Sequence, residues 1–269
     1  MNHSLVSLAC HAYVLAALVY LAYLVRQSSV LATLGRVLVG SGLVLHGVAL
    51  FELFGAQGGR PVGMAQGFST CAFLLLAIFL GVDVRYRKPV IGAFITPLAV
   101  AVLLPGLLLD DGQPLRADVQ RPLLPLHITI ALLGVAASAL AAGVAVMYLL
   151  MERQMKGKRF GLLFSRLPSL EFLDTLNRQL GVVGFIALSV TLVTGAFFSS
   201  AAPGFVWAWR STQIATLVAW GVFAALIGAR SFGGWRGRRV ALLTMTGFGL
   251  LLVSFLSSYN FTQLGGGGR

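Results

Sequence analysis

Leu126–Met151 reads L-H-I-T-I-A-L-L-G-V-A-A-S-A-L-A-A-G-V-A-V-M-Y-L-L-M and contains no aspartate, glutamate, lysine or arginine. A helix needs about 20 predominantly apolar residues to cross the hydrocarbon of a bilayer, so this stretch is long enough to span one. Seven further apolar runs accompany it: Leu5–Val25, Val37–Phe54, Phe68–Val82, Val90–Leu109, Leu180–Ser200, Thr212–Ala229 and Val240–Tyr259. None alternates with a period of two as a barrel strand would, and every run is therefore read as a helix. The fold class is all-α, a polytopic membrane helix bundle of about eight transmembrane helices, with residues 1–264 as a single transmembrane domain. Residues 265–269, glycine except for Arg269, read as a flexible tail.

Composition agrees. Of the 269 residues 58% are hydrophobic and 10% charged, with a mean hydropathy of +0.89; roughly a quarter of a soluble domain would be charged. The first run lacks a basic segment before it and reads as a retained span rather than a cleaved signal. The net charge of +12 follows orientation rather than a nucleic-acid partner. Arg26 and Arg36 follow the first span, and Arg85, Arg87 and Lys88 the third. Arg153, Lys156, Lys158, Arg159, Arg166 and Arg178 follow the fifth, and Arg230, Arg236, Arg238 and Arg239 the seventh. That places 15 of the 20 basic residues on one side, against Arg60, Arg116, Arg121, Arg210 and Arg269 on the other. Basic loops stay inside, so both termini lie outside, periplasmic in a Gram-negative cell, and the protein is placed in the inner membrane as a multi-pass chain.

Pro97 and Pro105 predict a kinked or locally irregular fourth helix. Asp110–Arg121 reads as a solvated outer turn. In the long inner loop Arg153–Gln179, Leu170, Leu173, Leu176 and Leu180 fall at helical spacing after Pro168 and Ser169. They predict a short amphipathic helix lying at the inner interface and running into the sixth span.

Ionisable groups inside a bilayer are costly and point to function. The sequence offers His11, His46, Glu52 and His127, with His3 near the outer surface. His127 follows Pro125 in the first turn of the fifth helix. Ala131, Gly134, Ser138 and Ala142 continue its face as a stripe of small residues that a helix or a flat macrocycle can approach closely. The helix N-terminus favours the neutral imidazole, the form that ligates iron. His46, near the middle of the second span, must find a hydrogen-bond partner, a water or a metal. Apart from Glu52 no carboxylate is expected within a span, which leaves no acidic relay for a proton-coupled pump. Histidines without acids suit axial ligation of haem. Cys10 and Cys71 lie in apolar runs, and no C-x-x-C or C-x-x-C-H occurs. No catalytic constellation appears, and no enzymatic activity is expected.

Phe205–Arg210, F-V-W-A-W-R, sets two indoles and an arginine where a span meets the outer water. With P-L-H-I-T-I-A-L-L (Pro125–Leu133), L-P-S-L-E-F-L-D-T-L-N-R (Leu167–Arg178), L-V-A-W-G-V-F-A-A-L-I-G-A-R (Leu217–Arg230) and G-W-R-G-R-R-V-A-L-L-T (Gly234–Thr244), it resembles the cytochrome c assembly protein family. Within that family the likeness is to the HemX-like inner-membrane branch, relatives of CcsA and CcmC. The resemblance covers nearly the whole chain in span order. It implies haem handling at the outer face during cytochrome complex assembly, on a tryptophan-rich platform flanked by histidines. Trp207 and Trp209 stand where the family's tryptophans stand, and His127 matches the histidine before them. Arg210, Ser211, Thr212 and Gln213 depart from the family's acid, proline, lysine and acid. The trailing histidine is replaced by Ile227-Gly228-Ala229-Arg230.

The expectation is a haem-binding membrane protein of cytochrome c assembly type, acting at the periplasmic face. His127 and His46 are its candidate iron ligands, Trp207 and Trp209 its apolar shelf, and Arg210 the partner of a haem propionate. Its partners are the lipid bilayer, haem, and cytochrome maturation factors or another membrane protein. The alternative reading is an accessory membrane subunit of an ion transporter with no haem role.

Overall fold

The computed structural model describes residues 3–56, 64–108, 124–158, 161–200 and 211–264. The order is α1 (His3–Val25), α2 (Ser29–Ala56), α3 (Met64–Tyr86), a 3-10 turn at Pro89–Ile91, α4 (Gly92–Leu108), α5 (Leu124–Lys156), α6 (Leu162–Arg166), α7 (Leu170–Ser200), α8 (Ser211–Ser231) and α9 (Arg238–Leu264). Among the described residues there is no strand. Seven of these helices are long and apolar enough to cross a membrane, and α9, with 27 residues, is the eighth long helix. The chain is an all-α, multi-pass membrane protein, and each expected span coincides with one long helix. The Asp110–Arg121 turn, the Phe205–Arg210 loop and the 265–269 tail lie outside the described residues.

The helices run past their apolar cores. α2 begins at Ser29 rather than near Val37, and α3 continues to Tyr86 rather than ending near Val82. Arg36 and Asp83 are therefore helical, and the expectation that Glu52 is the one carboxylate within a span is corrected: Asp83 lies in α3 with a fully buried side chain. α4 passes through Pro97 and Pro105 as helix, with the 3-10 turn leading into it.

The chain divides into two compact units, one of Met1–Leu132 with Leu150–Ser169, the other of Leu133–Leu149 with Leu170–Arg269. In the first, α1 buries Val6, Ala9, Tyr13, Ala16 and Tyr20, spaced by threes and fours as along a coiled-coil seam. The Tyr13 ring lies on Gly42 of α2 and the Tyr20 ring on Gly35, an order that makes α1 and α2 antiparallel. A Cβ at Gly42 would stand 2.5 Å from the Tyr13 ring, and one at Gly35 2.8 Å from that of Tyr20. Only glycine lets these rings approach the α2 backbone so closely. Tyr20 also packs on Gly92 of α4 and meets Phe79 of α3 edge-on, ring centroids 5.6 Å apart.

Gly42→Ala should therefore lower the melting temperature in detergent. Overpacking against a ring with no room to move costs about 1–3 kcal/mol, more than the roughly 1 kcal/mol gained in helix propensity. Gly40→Ala, which meets open space, should not lower it.

At the end of α2 that the charge count places inside, Arg36 Nε donates to Asp83 Oδ2 at 2.7 Å. The Tyr20 hydroxyl donates to the same oxygen at 3.5 Å. Arg166, closing α6, donates to the Val25 carbonyl at 3.3 Å and ties α6 to the end of α1.

In the second unit α7 is one continuous helix. The leucines expected to rest on the membrane interface do otherwise: Leu173, Leu176 and Leu180 are buried in protein. The apolar face at this end was read correctly as helical, but it is covered by neighbouring helices rather than by lipid. Further along, Leu188, Ala219, Phe223 and Leu251 form a core against which Phe185 and Trp220 stack, their rings 5.6 Å apart. Trp220 donates its indole N–H to Ser189 Oγ at 2.9 Å, and the Thr216 and Ser254 hydroxyls pair at 2.8 Å. Such clasps hold helices together where the surroundings are as apolar as the helices themselves.

The other end of this unit is held by ions. Arg230 of α8 donates to both carboxylate oxygens of Asp174, at 3.1 and 3.3 Å, and to Asn177 Oδ1 at 3.0 Å. The Asn177 amide in turn donates to the Ala141 carbonyl of α5 at 2.9 Å, and the Thr244 hydroxyl of α9 donates to Asn177 Oδ1 at 3.2 Å. One aspartate, one asparagine and one arginine thus join four helices.

Candidate functional site

His46, on α2, is fully buried against α1 and α3. Its Nδ1 lies 3.3 Å from the Tyr13 hydroxyl and its Nε2 2.7 Å from Ser69 Oγ, with Phe73 edge-on at 5.6 Å between centroids. Each hydroxyl can donate or accept, so either neutral tautomer satisfies both ring nitrogens. The sequence requirement for a partner is met within the protein. A ligand approaching His46 meets nitrogens that are already engaged, and iron binding there requires Ser69 or Tyr13 to withdraw. Tyr13 and Ser69 were not singled out in the sequence. The signal available for Tyr13 was its seven-residue spacing from Tyr20, matched by Gly35 and Gly42 on the next helix.

His127 sits differently. It occupies the first turn of α5, half-buried, next to an exposed Leu126, at the end that the charge count places outside. Thr129 in the same turn donates back to the Pro125 carbonyl at 2.8 Å. Part of the small-residue stripe that continues the face of His127 is filled. Gly134 lies against Ala187 and Leu188 of α7, and a Cβ at Gly184 would stand 2.8 Å from Ser138 Oγ. Of the two things such a stripe admits, a helix occupies its Gly134–Ser138 part.

His11 is exposed and holds its own helix, with Nδ1 2.7 Å from the Ser7 carbonyl. Glu52 is exposed near the outer end of α2. Cys10 and Cys71 are buried free thiols. Trp207, Trp209 and Arg210 lie outside the described residues. Among the described residues no three His, Cys, Asp or Glu side chains cluster as a metal cage would require.

The elements define a polytopic helical membrane protein with one enclosed and one interfacial histidine. The Cytochrome C assembly protein family matches residues 3–264. The chain belongs to that family. It is similar to the cytochrome c biogenesis protein CcsA of Synechococcus sp. (strain JA-3-3Ab), 28% identical over 226 residues, 63% of this chain and 66% of that protein. The protein of the same description from Prochlorococcus marinus (strain MIT 9515) is 27% identical over 225 residues, covering 74% of this chain and 72% of that one. A shorter match, to that of Synechococcus sp. (strain JA-2-3B'a(2-13)), reaches 38% over 96 residues, 36% of this chain and 27% of the relative. The chain thus spans about two thirds of the first relative's length. The family match favours the assembly reading over that of a transporter subunit.

Proposed function

We propose that this protein handles haem at the outer face of a cell's inner membrane during cytochrome c assembly, as a binding protein without an enzymatic step of its own. The observation that carries the reading is the position of His127. In a chain of this family, it is a half-buried imidazole in the first turn of a membrane-spanning helix, at the end facing outward by charge. An imidazole so placed can meet a haem whose edge stays in the interface. His127 supplies the axial nitrogen, Trp207 and Trp209 the apolar shelf, and Arg210 the guanidinium for a propionate. His46 serves as a second ligand only in a state where Ser69 or Tyr13 has let go of its ring. Haem is cargo in this scheme, passed to maturation factors that act at the same face.

The test is an absorption spectrum of the purified protein in detergent, supplied with haem. The parent should give a Soret band. His127→Ala should weaken haem retention by at least about tenfold, since an axial nitrogen is lost, and added imidazole should restore the band. His46→Ala should leave the band in place. A band unchanged by His127→Ala would overturn the site; a band abolished by His46→Ala alone would reverse the two roles.

A further inference from the structure

A cleft of about 580 Å³ opens at the inner end of the second unit. Its walls include Tyr148 of α5, Glu171, Asp174 and Arg178 of α7, Arg230 of α8, and Trp235 and Arg236 of the link to α9. Three guanidiniums face two carboxylates there, and the carboxylates are not equivalent. Both oxygens of Asp174 are engaged by Arg230, and one also accepts the Gly237 N–H at 3.3 Å. Glu171 stands exposed in the first turn of α7. Arg178 and Arg236 are close enough to repel Arg230, and among the described residues neither forms a salt bridge. The Arg230 Nε is buried without a hydrogen-bond partner among the described residues, although its side chain is only 7% exposed.

The surroundings are those of a membrane interface. Phe232 is 95% exposed and Trp235 40% exposed, on a link that also carries Arg236 and leads into Arg238 and Arg239, the first residues of α9. Arg239 lies over the Trp235 ring, 5.6 Å from its centroid. Aromatic side chains at this level sit among lipid headgroups, and arginines beside them meet the anionic lipids of the inner leaflet.

We propose that this cleft binds a phosphate group, and that the phosphate is the head of an anionic phospholipid of the inner leaflet. Arg178 and Arg236 hold the phosphate oxygens by charge-assisted hydrogen bonds. Trp235 and Phe232 lie alongside the glycerol and upper acyl chains. Arg230 is committed to Asp174 and shapes the floor. A soluble phosphate would use the guanidiniums but leave the Phe232 ring and the exposed part of Trp235 in water, which is why the lipid is the occupant chosen.

The full-length protein in a neutral detergent can be titrated with phosphatidylglycerol, with phosphatidylcholine and with glycerol 3-phosphate. Lipid retention is read by native mass spectrometry, alongside the lipid-dependent rise in melting temperature. Phosphatidylglycerol should be retained and should raise the melting temperature; phosphatidylcholine should do neither. Arg178→Gln and Arg236→Gln should each weaken retention about tenfold, and the pair together about a hundredfold. Both residues are exposed, so the variants can be checked for an unchanged melting temperature without lipid. Arg153→Gln, elsewhere on the inner face, should leave retention unchanged. Equal binding of phosphatidylcholine, unaltered retention in the double variant, or an equal loss in Arg153→Gln would overturn the site. Full protection by glycerol 3-phosphate would overturn the lipid as its occupant.

Discussion

Replacing Arg36 with leucine is expected to destabilise the protein by about 3–5 kcal/mol, because it strips the counter-charge from an enclosed carboxylate. Asp83 is wholly buried, whereas Arg36 remains 30% exposed and reaches it from the end of α2 that the charge count puts inside. After the substitution Asp83 would keep, among the described residues, only the long Tyr20 hydroxyl contact at 3.5 Å. The double variant Arg36→Leu/Asp83→Leu should recover most of the loss, since a buried ion pair and a well-packed apolar pair of similar size differ little in net stability. Thermal unfolding in detergent measures both. A single variant that melts within a degree of the parent would show that Arg36 is not what makes Asp83 tolerable in α3.

The second large effect is expected at Asp174. Asp174→Ala removes both acceptors of the Arg230 fork and the acceptor of the Gly237 N–H in one step. Arg230 would retain Asn177 Oδ1 and a backbone carbonyl while staying almost fully enclosed. The expected loss is about 3 kcal/mol. It should appear first as accelerated hydrogen exchange at the inner ends of α7, α8 and α9. Asp174→Asn keeps an acceptor and should cost less. Equal effects from both substitutions would mean that the carboxylate's charge contributes nothing to the clasp.

The helices themselves were legible because eight apolar runs are too long to be anything else in this composition. Their ends were not. A charge in the sequence reads as the limit of a span, which is why the second run was started after Arg36 and the third was ended before Asp83. The structure pairs those two charges with each other across α2 and α3, so neither needs to leave its helix. Pairing between helices leaves no local trace. The leucines Leu173, Leu176 and Leu180 show the same limit: spacing reveals an apolar face, but not whether lipid or protein covers it. The stripe from Ala131 to Ala142 was read as open to either a helix or a flat ring, and α7 takes the Gly134–Ser138 part of it. At the site, the need of His46 for partners was legible, but the identity of Tyr13 and Ser69 was not. The Phe205–Arg210 loop was singled out for its indoles and its family likeness; it lies outside the described residues.

The two tyrosines of α1 seated on glycines of α2 make a key with two teeth. Sliding α1 along α2 by one heptad, about 10.5 Å at 1.5 Å per residue, would bring Tyr13 over Ala49 or Tyr20 over Ser28. Neither position offers the bare backbone that both rings now use. Axial motion of this hairpin is thereby blocked, and α1 can shift only by rotating or lifting away. Since Tyr13 is also the α1 residue that touches His46, every movement that exposes this histidine from the α1 side must first unseat a tooth. From the α1 side, access to the buried imidazole is thus geared to the opening of the α1–α2 hairpin, whereas from α3 it is Ser69 that must withdraw.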